Sequence, residues 1–163
     1  PTYAVLGNHD QQAPGPDIDA ELRAALATQK IDVIEGEAVQ LGGFQLAGLG
    51  DRWANKDDAG FLSSAPPSSI TTVVLAHNPD SATDLDPAVA TLVLAGHTHG
   101  GQIRIPWLYR HAIPSRYGFD RGEQFLATPQ GRVRVYTTVG TGEVGLPMRL
   151  FNPPTIDVLD LRP

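Results

Sequence analysis

Two apolar runs constrain the fold most. Ile70-Thr71-Thr72-Val73-Val74-Leu75-Ala76 stops at His77, and Thr91-Leu92-Val93-Leu94-Ala95 stops at Gly96-His97-Thr98-His99-Gly100-Gly101. Short runs rich in β-branched residues and closed by turn formers read as buried strands. If the chain continues extended past Ala95, His97 and His99 project from one face. Gly96 leaves room beside them, and Gly100 and Gly101 let the backbone turn away. Two imidazoles converging on open space form a candidate metal site.

The rest of the chain decides whether such strands have a domain to sit in. With 163 residues and 41% hydrophobic side chains, it can bury a core of its own. Its 18 acids outnumber its 12 bases, so there is no nucleic-acid footprint. Cysteine is absent, which removes disulfides, thiolate metal ligands and a thiol nucleophile. No apolar run is long enough to span a bilayer, and the chain is expected to be soluble.

The remaining elements follow from local pattern. Tyr3–Leu6 reads as a strand, followed by Gly7-Asn8-His9-Asp10 and a loop over 11–16. Asp17 is the expected N-cap of an amphipathic helix over 18–29, with Ile18, Leu22, Ala25 and Leu26 on one face. Residues 32–34 form a short strand. Residues 38–41 and 44–49 form a hairpin about Gly42-Gly43. A helix over 57–64, a loop over 65–69 and a short helix near Pro79 come next. Residues 103–125 read as a long loop, 125–127 and 132–137 as a hairpin, 140–145 as a glycine-rich turn, and 155–161 as a last alternating strand. Strands, polar turns and helices in this order predict a mixed α/β domain of layered sheets.

Three strands thus end in potential ligands: Asn8 and His9, then His77, then His97 and His99. Ligands of α/β proteins gather outside the carboxyl ends of strands. Imidazole and amide oxygen suit Mn, Fe, Zn or Co, in an open catalytic site more than a closed structural one. His111 is expected at the surface. Trp53, Trp107 and Tyr117 are expected to pack their loops.

The ordered set Gly7-Asn8-His9-Asp10, His77 and Gly96-His97-Thr98-His99 resembles the last three signatures of the calcineurin-like metallophosphoesterases. Gly101-Gln102-Ile103, residues 114–118 and residues 145–154 resemble the bacterial YkuE-type branch. The resemblance implies an α-β-β-α sandwich with mixed sheets and a centre of two divalent ions whose activated hydroxide hydrolyses a phosphoester. It implies Asn8, His77 and His97 as ligands of one ion and His99 as a ligand of the other. His9 would be the catalytic histidine and Asp10 the group that orients it. Arg104 and Arg116 are candidate substrate contacts, weighed against a role as solvated surface arginines.

The family's Asp-x-His and Gly-Asp-x-x-Asp signatures do not occur here; Asp51-Arg52 lies on the wrong side of Asn8 to replace them. Residues 1–163 are therefore expected to be the C-terminal portion of one metallophosphoesterase domain, incomplete on its N-terminal side. Such a piece is expected to hold metal partly or not at all, to be inactive alone, and to expose a strand edge near residues 3–6 through which it self-associates. The parent is expected in the bacterial cytoplasm or at a membrane, acting on a phosphorylated small molecule or lipid. A non-catalytic scaffold of the same fold and a single-metal binding module are the alternative readings.

Overall fold

Side-chain alternation along two central strands sets up the architecture. The computed structural model describes residues 1–11, 16–63 and 70–162, without the side chain of residue 63. Strands β5 (Thr71–Ala76) and β6 (Ala90–Ala95) lie parallel at the middle of a six-stranded sheet. On one side they are flanked by the hairpin β3 (Ala38–Leu41) and β4 (Phe44–Gly48), on the other by the hairpin β7 (Gly122–Thr128) and β8 (Gly131–Thr137). The order is β3-β4-β5-β6-β8-β7, with antiparallel pairs at both edges and parallel pairs between. Strands β1 (Thr2–Ala4) and β2 (Ile31–Val33) pair in parallel as a second, two-stranded sheet.

Residues that alternate along β5 and β6 serve opposite faces. Val74, Ala76 and Val93 join Val133 and Val135 in the larger core, closed by Leu62, Ala82 and Phe119. Val73, Leu75 and Leu94 face the other way and meet Ile34 and Tyr3 of the smaller sheet. Helix α2 (Asp19–Thr28) packs on β2. Short helices on one face, the small sheet on the other and α2 against β2 make the layered α/β arrangement expected. The two sheets join where Glu35 bridges Gly48. A Cβ at Gly48 would come within 2.5 Å of the Ile34 carbonyl oxygen, so only glycine permits this approach.

Several expectations are revised. The strand predicted at 155–161 does not form. Tyr136 and Thr138 donate hydrogen bonds to the Asp157 carboxylate, which draws the polar residues of the tail inward. Ile156 and Val158 are left 84% and 93% exposed. The long loop is shorter than predicted, because β7 begins at Gly122, and it contains a 3-10 turn at Tyr109–Ala112. Strand β1 ends at Ala4, two residues early, since Leu6 N–H is taken by Glu35 Oε1 at 2.6 Å. Among the described residues β2 is its sole strand partner.

Helix α2 is capped by Ile18 with no side-chain bond, while Asp17 Oδ1 accepts from Asp19 N–H at 2.9 Å. None of its residues is fully buried, so its apolar face is only half used. The helix predicted at 57–64 shrinks to α3 (Gly60–Ser63). The loop predicted at 65–69 and most of that at 11–16 lie outside the described residues.

Candidate metal centre

Parallel pairing explains why His77 and His97 meet. Ala76 and Ala95 are partners at the carboxyl ends of β5 and β6, and Gly96 N–H donates to the His77 carbonyl at 3.0 Å. The next residues leave both strands at the same level. Asn8 arrives from the smaller sheet, at the start of the single helical turn α1 (Asn8–Gln11). That turn is closed by Asp10, whose Oδ2 accepts from Gly7 N–H at 2.8 Å, the reciprocal bond of a capping box. Gly7 is what lets α1 approach. A Cβ there would stand 2.7 Å from the His77 ring. Gly96, by contrast, has only ordinary van der Waals neighbours around such a Cβ, so it is not the residue that makes room.

Three donor atoms converge. His77 Nε2 lies 3.1 Å from Asn8 Oδ1 and 3.0 Å from His97 Nδ1. One ring nitrogen carries either one hydrogen or one lone pair, so it cannot donate to two acceptors at once. A divalent cation accepting lone pairs from all three atoms resolves the conflict, and the residues present fit one. Burial pushes both imidazoles down to about pKa 4, for His97 with the neighbouring His77 adding to the effect. Each is neutral near pH 7, the form that ligates. Among the described residues no three His, Asp, Glu or Cys gather closely enough to hold an ion; the trio here includes an amide.

His97 and His99 do not share the face of a strand. Strand β6 ends at Ala95, and His97 and His99 take left-handed φ values of 65° and 49°. The turn sends His97 toward His77 and His99 toward Gly142. His99 Nδ1 lies 3.1 Å from the Gly142 carbonyl oxygen, which only accepts. The ring hydrogen is thereby held on Nδ1, leaving the Nε2 lone pair free for a ligand. The His99 carbonyl is pinned by Asn152 Nδ2 at 2.6 Å and Arg149 Nη1 at 3.3 Å.

His9, His77, His97 and His99 line one cleft of about 400 Å³, whose other walls include Ile103, Pro114, Val144 and Leu146. His9 is exposed at its edge, and Asp10 is hydrogen-bonded to the α1 turn; among the described residues no bond joins the two. Arg104 is neither a solvated arginine nor free for substrate. It donates to the Gly100 carbonyl at 2.7 Å and to Asp120 Oδ2 at 3.0 Å, and lies over the Tyr109 ring. Arg116 is exposed and lines a neighbouring cleft with Arg52 and Tyr117. His111 is exposed, as expected.

Two residues gain roles. Trp53, expected under its loop, is half-exposed and sets its ring edge-on to His97, centroids 4.6 Å apart. Asp51, set aside in the sequence, is fully buried. Its Oδ1 accepts from Trp53 N–H at 2.8 Å and Ala54 N–H at 3.1 Å. Burial raises its pKa, those two bonds and the nearby His97 opposing the rise. Its Oδ2 and His97 Nε2 are both buried without a partner. The available signal was the glycine-led Gly50-Asp51 at a strand end, which motif order alone led away from.

The chain has relatives among known proteins. No family model and no solved structure matches the chain. The phosphodiesterase YaeI of Escherichia coli K12 is 32% identical across 99% of this chain and 58% of its own length. The uncharacterized metallophosphoesterase YkuE of Bacillus subtilis 168 is 30% identical across 97% of this chain and 55% of its own. The UDP-2,3-diacylglucosamine pyrophosphatase LpxG of Chlamydia muridarum is 26% identical across 88% and 45%. The chain thus spans a little over half the length of the first two relatives. The chain is thus similar along nearly its whole length to proteins named as phosphodiesterases and metallophosphoesterases, which supports the resemblance to the calcineurin-like metallophosphoesterases read from its ordered histidines.

Proposed function

We propose that this chain supplies one side of the two-metal centre of a phosphoester hydrolase. The observation that carries the reading is the meeting of Asn8 Oδ1, His77 Nε2 and His97 Nδ1 around His77. These three residues hold one divalent ion, of the Mn, Fe, Zn or Co class, and His99 reaches toward a second. Bound ions supply electrostatic stabilisation to the phosphoryl oxygens and acidify water. His9 lines the same cleft and, among the described residues, holds no hydrogen bond of its own. In this reading it gives a proton to the departing oxygen. Asp10 acts on His9 by fixing the turn that carries it. Residues outside this chain complete the centre, so residues 1–163 form part of one catalytic domain and turn over little substrate alone. The substrate is a phosphorylated small molecule or lipid, and the parent works in the cytoplasm or at a membrane. A second copy pairing on the free edge of β1 accounts for any dimer.

Calorimetric titration of the chain with Mn²⁺ or Zn²⁺ tests the ligand set. Weak binding is expected, reduced at least tenfold by His77→Ala or His97→Ala, the usual scale for losing a ligand or its support. Unchanged affinity in both variants overturns the assignment. Vigorous metal-dependent hydrolysis of p-nitrophenyl phosphate by residues 1–163 would refute the partial-centre reading while leaving the hydrolase reading intact.

A further inference from the structure

We propose that the rim of the histidine cleft is a docking surface for an anionic lipid bilayer. The inference is independent of the hydrolysis proposed above, because binding alone reads it. Two segments build the rim, 103–119 and 144–156. A bridge between Ile103 and Leu150 joins them, and Gln102 Nε2 donates to the Val144 and Leu146 carbonyls. Together they hold four arginines and one histidine, and no aspartate or glutamate, in a chain whose acids outnumber its bases 18 to 12.

Phe119 at the end of the first segment closes the larger core, but the bulkiest of the other apolar side chains of the rim are exposed. Trp107 is 88% exposed and Phe151 74%, and Ile105, Leu108, Leu146 and Met148 are exposed beside them in sequence. Trp107 and Phe151 sit at φ 66° and 54°. That left-handed region is costly for a bulky side chain, so backbone strain accompanies the display of both rings. Pro106 and Pro147 stiffen the two segments where the exposed side chains cluster. Exposed apolar side chains of this extent mark an interaction surface.

Charge chooses the occupant. Among the described residues Arg110 and Arg116 form no ion pair, and Arg149 spends its hydrogen bonds on carbonyls of Val139, Gly142, His99 and Asn152. Only Arg104 has a carboxylate partner, Asp120. Tryptophan, leucine and phenylalanine flanked by unneutralised arginines are the composition of a membrane-interface anchor. The rest of the chain carries the acids and is repelled by an anionic surface, which fixes the orientation: the mouth of the cleft faces the headgroups. No helix among the described residues is long and apolar enough to cross a membrane.

Co-sedimentation of the chain with phosphatidylglycerol–phosphatidylcholine vesicles tests this, with phosphatidylcholine vesicles alongside. Binding is expected to the anionic vesicles only. It should weaken roughly tenfold in Trp107→Ala and roughly fivefold or more in Arg110→Glu. Val158→Ser alters an equally exposed apolar residue outside the rim and should bind as wild type. Circular dichroism checks that each variant folds; both altered rim side chains are exposed and carry no core. Absence of binding, equal binding to neutral vesicles, wild-type binding by both rim variants, or an equal loss in Val158→Ser overturns the proposal.

Discussion

The six-stranded sheet and the unit formed by β1, α1, α2 and β2 are held together differently, and the candidate metal centre is built half on each. The sheet is held by apolar burial. Val74, Val93, Val133 and Val135 are wholly excluded from water and lie in one cluster. The smaller unit meets the sheet through the lesser cluster around Ile34 and Tyr3, and its helix buries no residue completely. Much of what holds it is one carboxylate. Glu35 accepts from Leu6 N–H, through both its oxygens from Gln11 Nε2, and from Arg23, which also pairs with Asp19. Burial raises the Glu35 pKa even so, with the Leu6 bond and Arg23 pulling the other way, so this latch bears a desolvation cost. His77 and His97 stand on the stiff side of the site, and Asn8 on the latched side.

The contrast is sharpest in stability. Val93→Ala removes two buried methylene equivalents and leaves a cavity in the sheet, and should cost about 2–3 kcal/mol. Leu26→Ala on half-exposed α2 should cost less than about 1 kcal/mol. Urea denaturation of both variants measures the difference. Equal costs would show that the two regions share one core and that the contrast is false.

What could be read from the residues divides along the same line. The β5 and β6 strands and the hairpin about Gly42-Gly43 were legible because each is a short-range pattern of apolar and turn residues. The meeting of His77 and His97 was legible because neighbouring strands of a parallel sheet end side by side, while Asn8 reaches them from the other sheet. The tail was misread because alternation reveals two faces but not which one turns inward, and Asp157 bound the sheet while Ile156 and Val158 did not. Glu35 was not legible, and Asp51 was signalled only by Gly50-Asp51 near a strand end. Their partners lie at sequence separations or in turn geometries that no local pattern encodes. The left-handed turn at His97 likewise defeats any reading that extends the strand.

The latch itself can be cut. Glu35→Ala frees Leu6 N–H, Gln11 and Arg23 at once and should cost roughly 2 kcal/mol, the scale of a hydrogen bond to a charged group. The damage should stay local. Hydrogen exchange should accelerate over residues 2–11 and 31–33 while β5 and β6 keep their protection. Metal affinity should fall, because Asn8 loses its anchor. Acceleration throughout β5 and β6 would mean that the small unit supports the sheet rather than resting on it.

The smallest expected effect separates support of a ligand from support of the fold. Asp51 sits on the sheet side, buried, and its charge acts on His97, while among the described residues its Oδ2 and His97 Nε2 hold no hydrogen-bond partner. A buried negative charge close to the candidate ligand imidazole favours any cation held there. Asp51→Asn keeps the Oδ1 acceptor for Trp53 and Ala54 N–H, so the turn should survive. It removes the charge that acts on His97, and metal affinity should drop about tenfold with little change in melting temperature. The histidine ring NMR signals should shift for His97 and stay in place for His99, whose hydrogen is fixed by Gly142 instead. A loss of stability without a loss of metal affinity would make Asp51 a turn residue and nothing more.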